Sequence, residues 1–215
     1  MMADRNDLSA RSAPAESTGP LNGPLYAALA AYVAMATIAS GIAVVLGRSP
    51  LACDGWLGAR GEASWLLSLG AGVALGAITV AATRVLMRRA PWARALHVAL
   101  RPAVHGATDG ALAALALASA LGEELLFRGL LVPLAGIVFS SVLFGLLHQV
   151  RGPARWAWMA WATVMGTAFA TVFALTGSLA GPVVAHAVIN HANLRFLRDN
   201  DPAPRKRRLG GLLKR

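Results

Sequence analysis

The chain has 215 residues, of which 56% are hydrophobic and only 14% charged, with a mean hydropathy of +0.56. That balance excludes an ordinary soluble domain and leaves room for one unit of about six membrane-spanning helices at roughly 20 apolar residues each, with no second domain. The net charge of +10 is carried almost wholly by arginine, which in so apolar a chain is a topology signal before it is a nucleic-acid footprint, and the single cysteine, Cys53, excludes an intramolecular disulfide framework.

Residues 1–24 are rich in Asp, Ser, Pro and Gly without apolar periodicity and read as a disordered tail. Leu25–Leu46 and Trp65–Met87 are the first two spans, the second closed by Arg88, Arg89 and Pro91. From Pro91 to Val104, Trp92, Leu96 and Leu100 alternate with Arg94 and Arg101, the pattern of an amphipathic segment lying at the headgroups. Thr108–Leu134 is a third span and Ile137–Val150 a shorter fourth, which carries His148. Trp156–Leu175 is a fifth, with Trp156, Trp158 and Trp161 as interfacial anchors, and Leu179–Leu197 a sixth, with His186, Asn190 and His191. A basic tail, 198–215, holds Arg205, Lys206, Arg207 and Arg208 and is placed against anionic lipid rather than nucleic acid. Six crossings put both termini on one side. The arginine-rich connections then share that side, so the positive-inside rule predicts an all-α polytopic bundle with N-in and C-in topology. Heavy use of Ala, and of Arg over Lys, suggests a bacterium with a GC-rich genome, hence the inner membrane.

Between Ala63 and Leu197 the only acidic residues are Asp109, Glu123 and Glu124, and the last two are adjacent inside an apolar stretch. A charged side chain at a helix centre costs roughly 2.5–3.5 kcal/mol on insertion scales, so such a pair calls for a wet cavity or a partner. Neighbouring helical positions point about 100° apart, whereas Glu124 and Arg128 stand i to i+4 and stack on one face. That arrangement leaves Glu123 free to act as a general base. Phe144 and His148 are likewise four apart, as are His186 and Asn190. Two histidines, an asparagine and a carboxylate gathered in a bundle can activate water and donate to the oxyanion of a peptide-hydrolysis intermediate. Blander readings stand beside this one: Glu124–Arg128 as a structural ion pair, Arg128 snorkelling to the surface, His148 or His186 as packing residues, Asn190 as interhelical glue, and His97, His105 and His191 as interfacial or structural groups.

Glu123-Glu124-Leu-Leu-Phe-Arg128, then Phe144-Gly-Leu-Leu-His148, then His186-Ala-Val-Ile-Asn190 resemble, in order and spacing, the CAAX-protease and bacteriocin-processing (CPBP, or Abi) family of intramembrane proteases. The resemblance spans about 90 residues; the first 105 share only the family's general hydrophobicity. It implies that Glu123 activates water with help from His148, that His186 and Asn190 stabilise the oxyanion, and that Arg128 orders the glutamates. The substrate is then a membrane-associated protein or peptide. The family has been described as metal-dependent, and Glu123, His148 and His186 would be the three ligands of a zinc ion, but the His-Glu-x-x-His helix of zinc proteases is missing. The reading adopted is a glutamate-activated water without an obligatory metal. Two other functions compete with proteolysis: a non-catalytic scaffold or bacteriocin-immunity protein, and a proton-coupled carrier.

Overall fold

The computed structural model describes residues 23–202; of the expected tails 1–24 and 198–215, residues 1–22 and 203–215 lie outside the described residues, while 23–24 belong to the first helix and 198–199 to the last, because helical hydrogen bonding runs past the ends of the apolar stretches. Within that range the chain is all-helical: α1 (Gly23–Val45), α2 (Gly61–Arg89), α3 (Pro91–Leu100), a 3₁₀ turn (Arg101–Ala103), α4 (Asp109–Glu124), a π-helical segment (Leu125–Leu131), α5 (Val132–Leu147), α6 (Arg155–Thr176) and α7 (Ala180–Asp199). The amphipathic segment after the second span is α3, which lies against α2 and α6. Large apolar side chains such as Val33, Ile38, Ile78, Val138 and Val164 are exposed all around the outside, as expected where the solvent is lipid.

Four stretches are long and apolar enough to cross a bilayer: Gly23–Val45, Gly61–Arg89, Asp109–Leu147 and Arg155–Thr176. The third of these holds the expected third and fourth spans. They are separated by Gly136, whose φ of 83° breaks the helix, between the expected boundaries at Leu134 and Ile137. The eleven residues 137–147 cover about 16 Å, half of a hydrocarbon core. Helix α7 is not among the four because His186, Asn190, His191, Asn193 and Arg195 lower its hydropathy.

The shape of the bundle follows from small residues. Ser64, Ser68, Gly72, Gly76 and Thr79 are buried along one stripe of α2, which packs mainly on α7 and touches α6 at Ser64 and Thr79. A Cβ on Gly72 would run into the backbone of Gly181, and one on Gly181 into that of Ser68, so the two backbones touch. Close approach through small residues is how helices associate where lipid removes the hydrophobic drive. Ser64 Oγ donates to the Thr176 carbonyl at 2.6 Å and Ser68 Oγ to that of Ser178 at 2.7 Å, while Gly181 N donates back to Ser68 Oγ at 2.9 Å. Gly181→Leu is therefore expected to force α2 and α7 apart and to cost about 1–3 kcal/mol as an overpacked contact, read as a lower melting temperature in detergent; an unchanged melt would contradict the crossing.

The α6–α7 turn, closed by Gly177 at φ 74°, pairs with the α1–α2 connection: Cys53 N donates to the Gly177 carbonyl at 3.0 Å, Trp56 N to Ala174 at 2.8 Å, and Leu179 N to Leu51 at 2.9 Å. These two connections share one face. At the other face Arg198 Nη2 meets Asp109 Oδ1 at 2.7 Å and His97 Nε2 bonds the Asn200 carbonyl at 2.9 Å, so the end of α3 and the start of α4 lie beside the end of α7.

Candidate active site

The π-helical segment sets the site. Pro133 has no N–H for the Gly129 carbonyl four residues back, and its ring crowds that carbonyl. The chain widens instead: Val132 N reaches back five residues to the Phe127 carbonyl, which also accepts Ser140 Oγ at 2.8 Å. Such single-turn π insertions occur often at functional sites. Arg128 lies within this one and is 0% exposed, which disposes of the snorkelling alternative. Its Nη1 donates to Glu124 Oε1 at 2.8 Å and its Nη2 to the Gly166 carbonyl at 3.1 Å. The rings of Phe144 and Phe169 stand 4.5 and 5.1 Å from the guanidinium carbon, so the cation is paired on one edge and enclosed by π faces elsewhere.

Glu124, also 0% exposed, accepts a second bond on the same oxygen from His186 Nδ1 at 2.7 Å. Phe169 stacks on the His186 ring at 5.1 Å between centroids with a 17° tilt. Both contacts fix the imidazole so that Nε2 faces Glu123 Oε2 at 3.7 Å. His148 approaches the same oxygen from the other side, Nε2 to Oε2 3.9 Å. Its Nδ1 bonds the Phe144 carbonyl at 2.7 Å. A carbonyl only accepts, so Nδ1 carries the proton and the Nε2 lone pair points inward. Trp158 closes edge-on at 5.7 Å.

His148 is one correction to the sequence reading. It is not in a helix that runs to Val150; α5 ends at Leu147, and His148 caps it with ψ 67°, its N–H donating to Gly145 and that of Gln149 to Leu147. The cap turns the imidazole back over Phe144, with ring centroids 4.3 Å apart. Asn190 is placed differently from the other five candidates: its Nδ2 donates to Ser119 Oγ at 3.0 Å, one turn of α4 before Glu123, so it lines the same cavity without bonding a glutamate or a histidine.

That cavity, of about 300 Å³, is lined by Glu123, His148, His186 and Asn190 at one end and by α3 at the other, with largely apolar walls between. It therefore runs from the carboxylates to the arginine-rich face. Tyr32 also lines it, as Glu123 does. Motif reading passed over this residue, although a phenol in the middle of an apolar span was the available signal. His97 lines the cavity as well, buried with its ring edge-on to Phe196 at 5.5 Å.

The donor set Glu123, His148 and His186 has the chemistry that zinc takes. Among the described residues, however, no group of three or more His, Cys, Asp or Glu is arranged to hold a metal ion; the bond from His186 Nδ1 to Glu124 is neutral on this point, since metal-bound imidazoles make the same one. The three-ligand zinc set is not formed by these side chains as placed. A thiol centre is also a poor fit, since desolvation and neighbouring Asp54 push the Cys53 thiol up in a loop away from the glutamates.

Fold and site together define a polytopic helical membrane protein with a carboxylate–histidine centre inside the bundle. Residues 110–192 match the family model described as Type II CAAX prenyl endopeptidase Rce1-like, and this segment contains all three motifs that carry the resemblance to the CPBP intramembrane proteases. No curated protein and no solved structure matches the chain.

Proposed function

We propose that this protein is an intramembrane endopeptidase that hydrolyses a peptide bond of a membrane-associated protein or peptide with a water activated by Glu123. One observation carries the reading: Glu123 Oε2 is buried without a hydrogen-bond partner while Nε2 of both histidines faces it within 4 Å. A carboxylate oxygen and an imidazole lone pair are acceptors, and a water between them donates to both. Water held this way has its own lone pair turned to the cavity.

In the reaction Glu123 takes a proton as the water oxygen bonds the substrate carbonyl carbon, and His148 fixes the other water hydrogen. Negative charge moves to the carbonyl oxygen. The Asn190 amide and a proton on His186 Nε2 donate to that oxygen, with Glu124 on the far ring nitrogen balancing the imidazolium as a carboxylate does in serine-protease triads. Glu123 then passes its proton to the leaving nitrogen as the C–N bond breaks. Arg128 acts on Glu124 rather than on substrate.

The topology supports a cytoplasmic supply of substrate. The cavity ends at the face of Arg88, Arg89, Arg94 and Arg101, which the positive-inside rule assigns to the cytoplasm of a bacterial inner membrane, with both termini there. The test compares protein termini by mass spectrometry in membranes of cells expressing the unmodified chain or Glu123→Ala at equal abundance. Termini that depend on Glu123 are expected; their absence with a folded variant would favour the scaffold or immunity function of the same polar core.

A further inference from the structure

Among the described residues that line the cavity, Tyr32 alone comes from α1. The chain has two tyrosines. The other, Tyr26, is 52% exposed near the start of the helix, the place of an interfacial anchor. Tyr32 is half-buried and stands nine residues beyond Gly23, about 14 Å into α1, too deep for the aromatic belt.

A seam of small residues holds it there. Ala39 and Ala43 of α1 are buried against Leu130 of the π-helical segment, and they fall seven and eleven positions after Tyr32, on its face of the helix. At Tyr32 the backbones of α1 and α4 meet: a Cβ on Gly122 would stand 2.8 Å from the Tyr32 carbonyl oxygen and 3.3 Å from its Cα. Gly129 is closed off in the same way by the backbone of Pro50, beyond the end of α1. The first helix is thereby seated along the stretch that carries Glu123, Glu124 and Arg128. Gly122 immediately precedes Glu123, so the phenol enters the cavity beside that carboxylate.

A phenol has one hydrogen to donate, and a carboxylate has about four lone-pair sites, of which the attacking water uses one. We infer that the Tyr32 hydroxyl donates to the Glu123 carboxylate and fixes its orientation towards that water, so that α1, outside the matched segment 110–192, completes the active site. Tyr32 is a positioning residue: it acts through Glu123 and not on the substrate. Its effect on catalysis rests on the endopeptidase reading; the bond itself does not. A ring that only fills the seam between α1 and α4 keeps its contacts in Tyr32→Phe and changes neither of the two measurements that follow.

The bond is measured without turnover, on the full chain in nanodiscs. Tyr26→Phe leaves Tyr32 as the single tyrosine, and carbon-13 at its Cζ then gives one NMR signal. Glu123→Gln is expected to shift that signal, and Asp109→Asn, at the far end of α4, to leave it in place. The role is measured on a substrate taken from the Glu123-dependent termini. Tyr32→Phe should lower kcat about tenfold, the loss of one hydrogen bond to a charged group, with KM unchanged. Gly122→Ala, which pushes α1 off α4, should lose as much, and the double variant no more than either alone. If Gly122→Ala does not fold, Tyr32→Phe decides by itself. A Cζ signal that ignores Glu123→Gln overturns the bond, and full kcat in Tyr32→Phe overturns the role. Cleavage by no chain, the unmodified one included, would remove the endopeptidase reading and the role with it, while the NMR signal still decides the bond.

Discussion

Glu123→Gln is expected to reduce peptide-bond cleavage by about 10²–10⁴-fold, the usual contribution of a positioned general base, while the protein melts at the same temperature or higher. The two halves of this result have one cause. Glu123 Oε2 is buried and unpartnered, with the lone pair of His148 Nε2 facing it, so two acceptors face each other and the folded state is destabilised by holding them there. An amide in place of the carboxylate has an N–H to donate to the His148 imidazole and no lone pair basic enough to take a proton from water. Function and stability therefore separate at this residue, as they do where a site is strained for its chemistry. The check is a matched pair of measurements on purified chain: cleavage of a substrate found from the Glu123-dependent termini, and thermal unfolding in the same detergent. Retained cleavage would remove Glu123 from the mechanism; lost cleavage together with a collapsed melt would make it a structural residue. Glu124→Gln provides the contrast, because Glu124 already holds Arg128 and His186 and its loss should lower both readings.

How far the sequence foretold this site depends on the range of the interaction. The Glu124–Arg128 pair is local, four residues on one helix, and spacing alone predicted it. The break at Gly136 falls between the expected span boundaries at Leu134 and Ile137. The π-helical segment was not foreseen, although Pro133 near the end of an expected span was its cause; which carbonyl would take up the displaced N–H, and that Ser140 would share it, depends on how α5 folds back. His148 was assigned to a helix because Phe144 and His148 have helical spacing, but the ring stacks on Phe144 from a cap that only the following turn defines. Tyr32 comes from α1, outside the matched segment 110–192, and nothing local connects it to Glu123. Asn190 was expected among the glutamates and bonds Ser119 instead, a contact set by how α4 crosses α7. Residue identity and order gave the chemistry; the partners across the bundle required packing.

Arg128 should be the residue whose loss unfolds the protein most readily. It is fully buried among Phe127, Phe144 and Phe169, with Glu124 Oε1 at 2.8 Å and the Gly166 carbonyl at 3.1 Å. Arg128→Met nearly preserves volume but strands the Glu124 carboxylate in an apolar core with His186 alone, and breaking a buried pair in this way costs about 3–5 kcal/mol. Arg128→Lys should recover little, because an ammonium cannot reach both Glu124 and Gly166 in one plane or lie flat between the phenyl rings. The informative variant is the double substitution Glu124→Gln with Arg128→Met. Removing both charges relieves the stranded carboxylate, so the melting temperature should return most of the way to that of the unmodified chain. Cleavage should not return, since His186 then lacks the carboxylate that orients it and balances its charge during oxyanion formation. Recovery of stability without activity would assign the pair to positioning His186. Recovery of both would reduce it to a structural ion pair, and a single Arg128→Met that melts normally would mean that the π-helical segment does not depend on its buried cation.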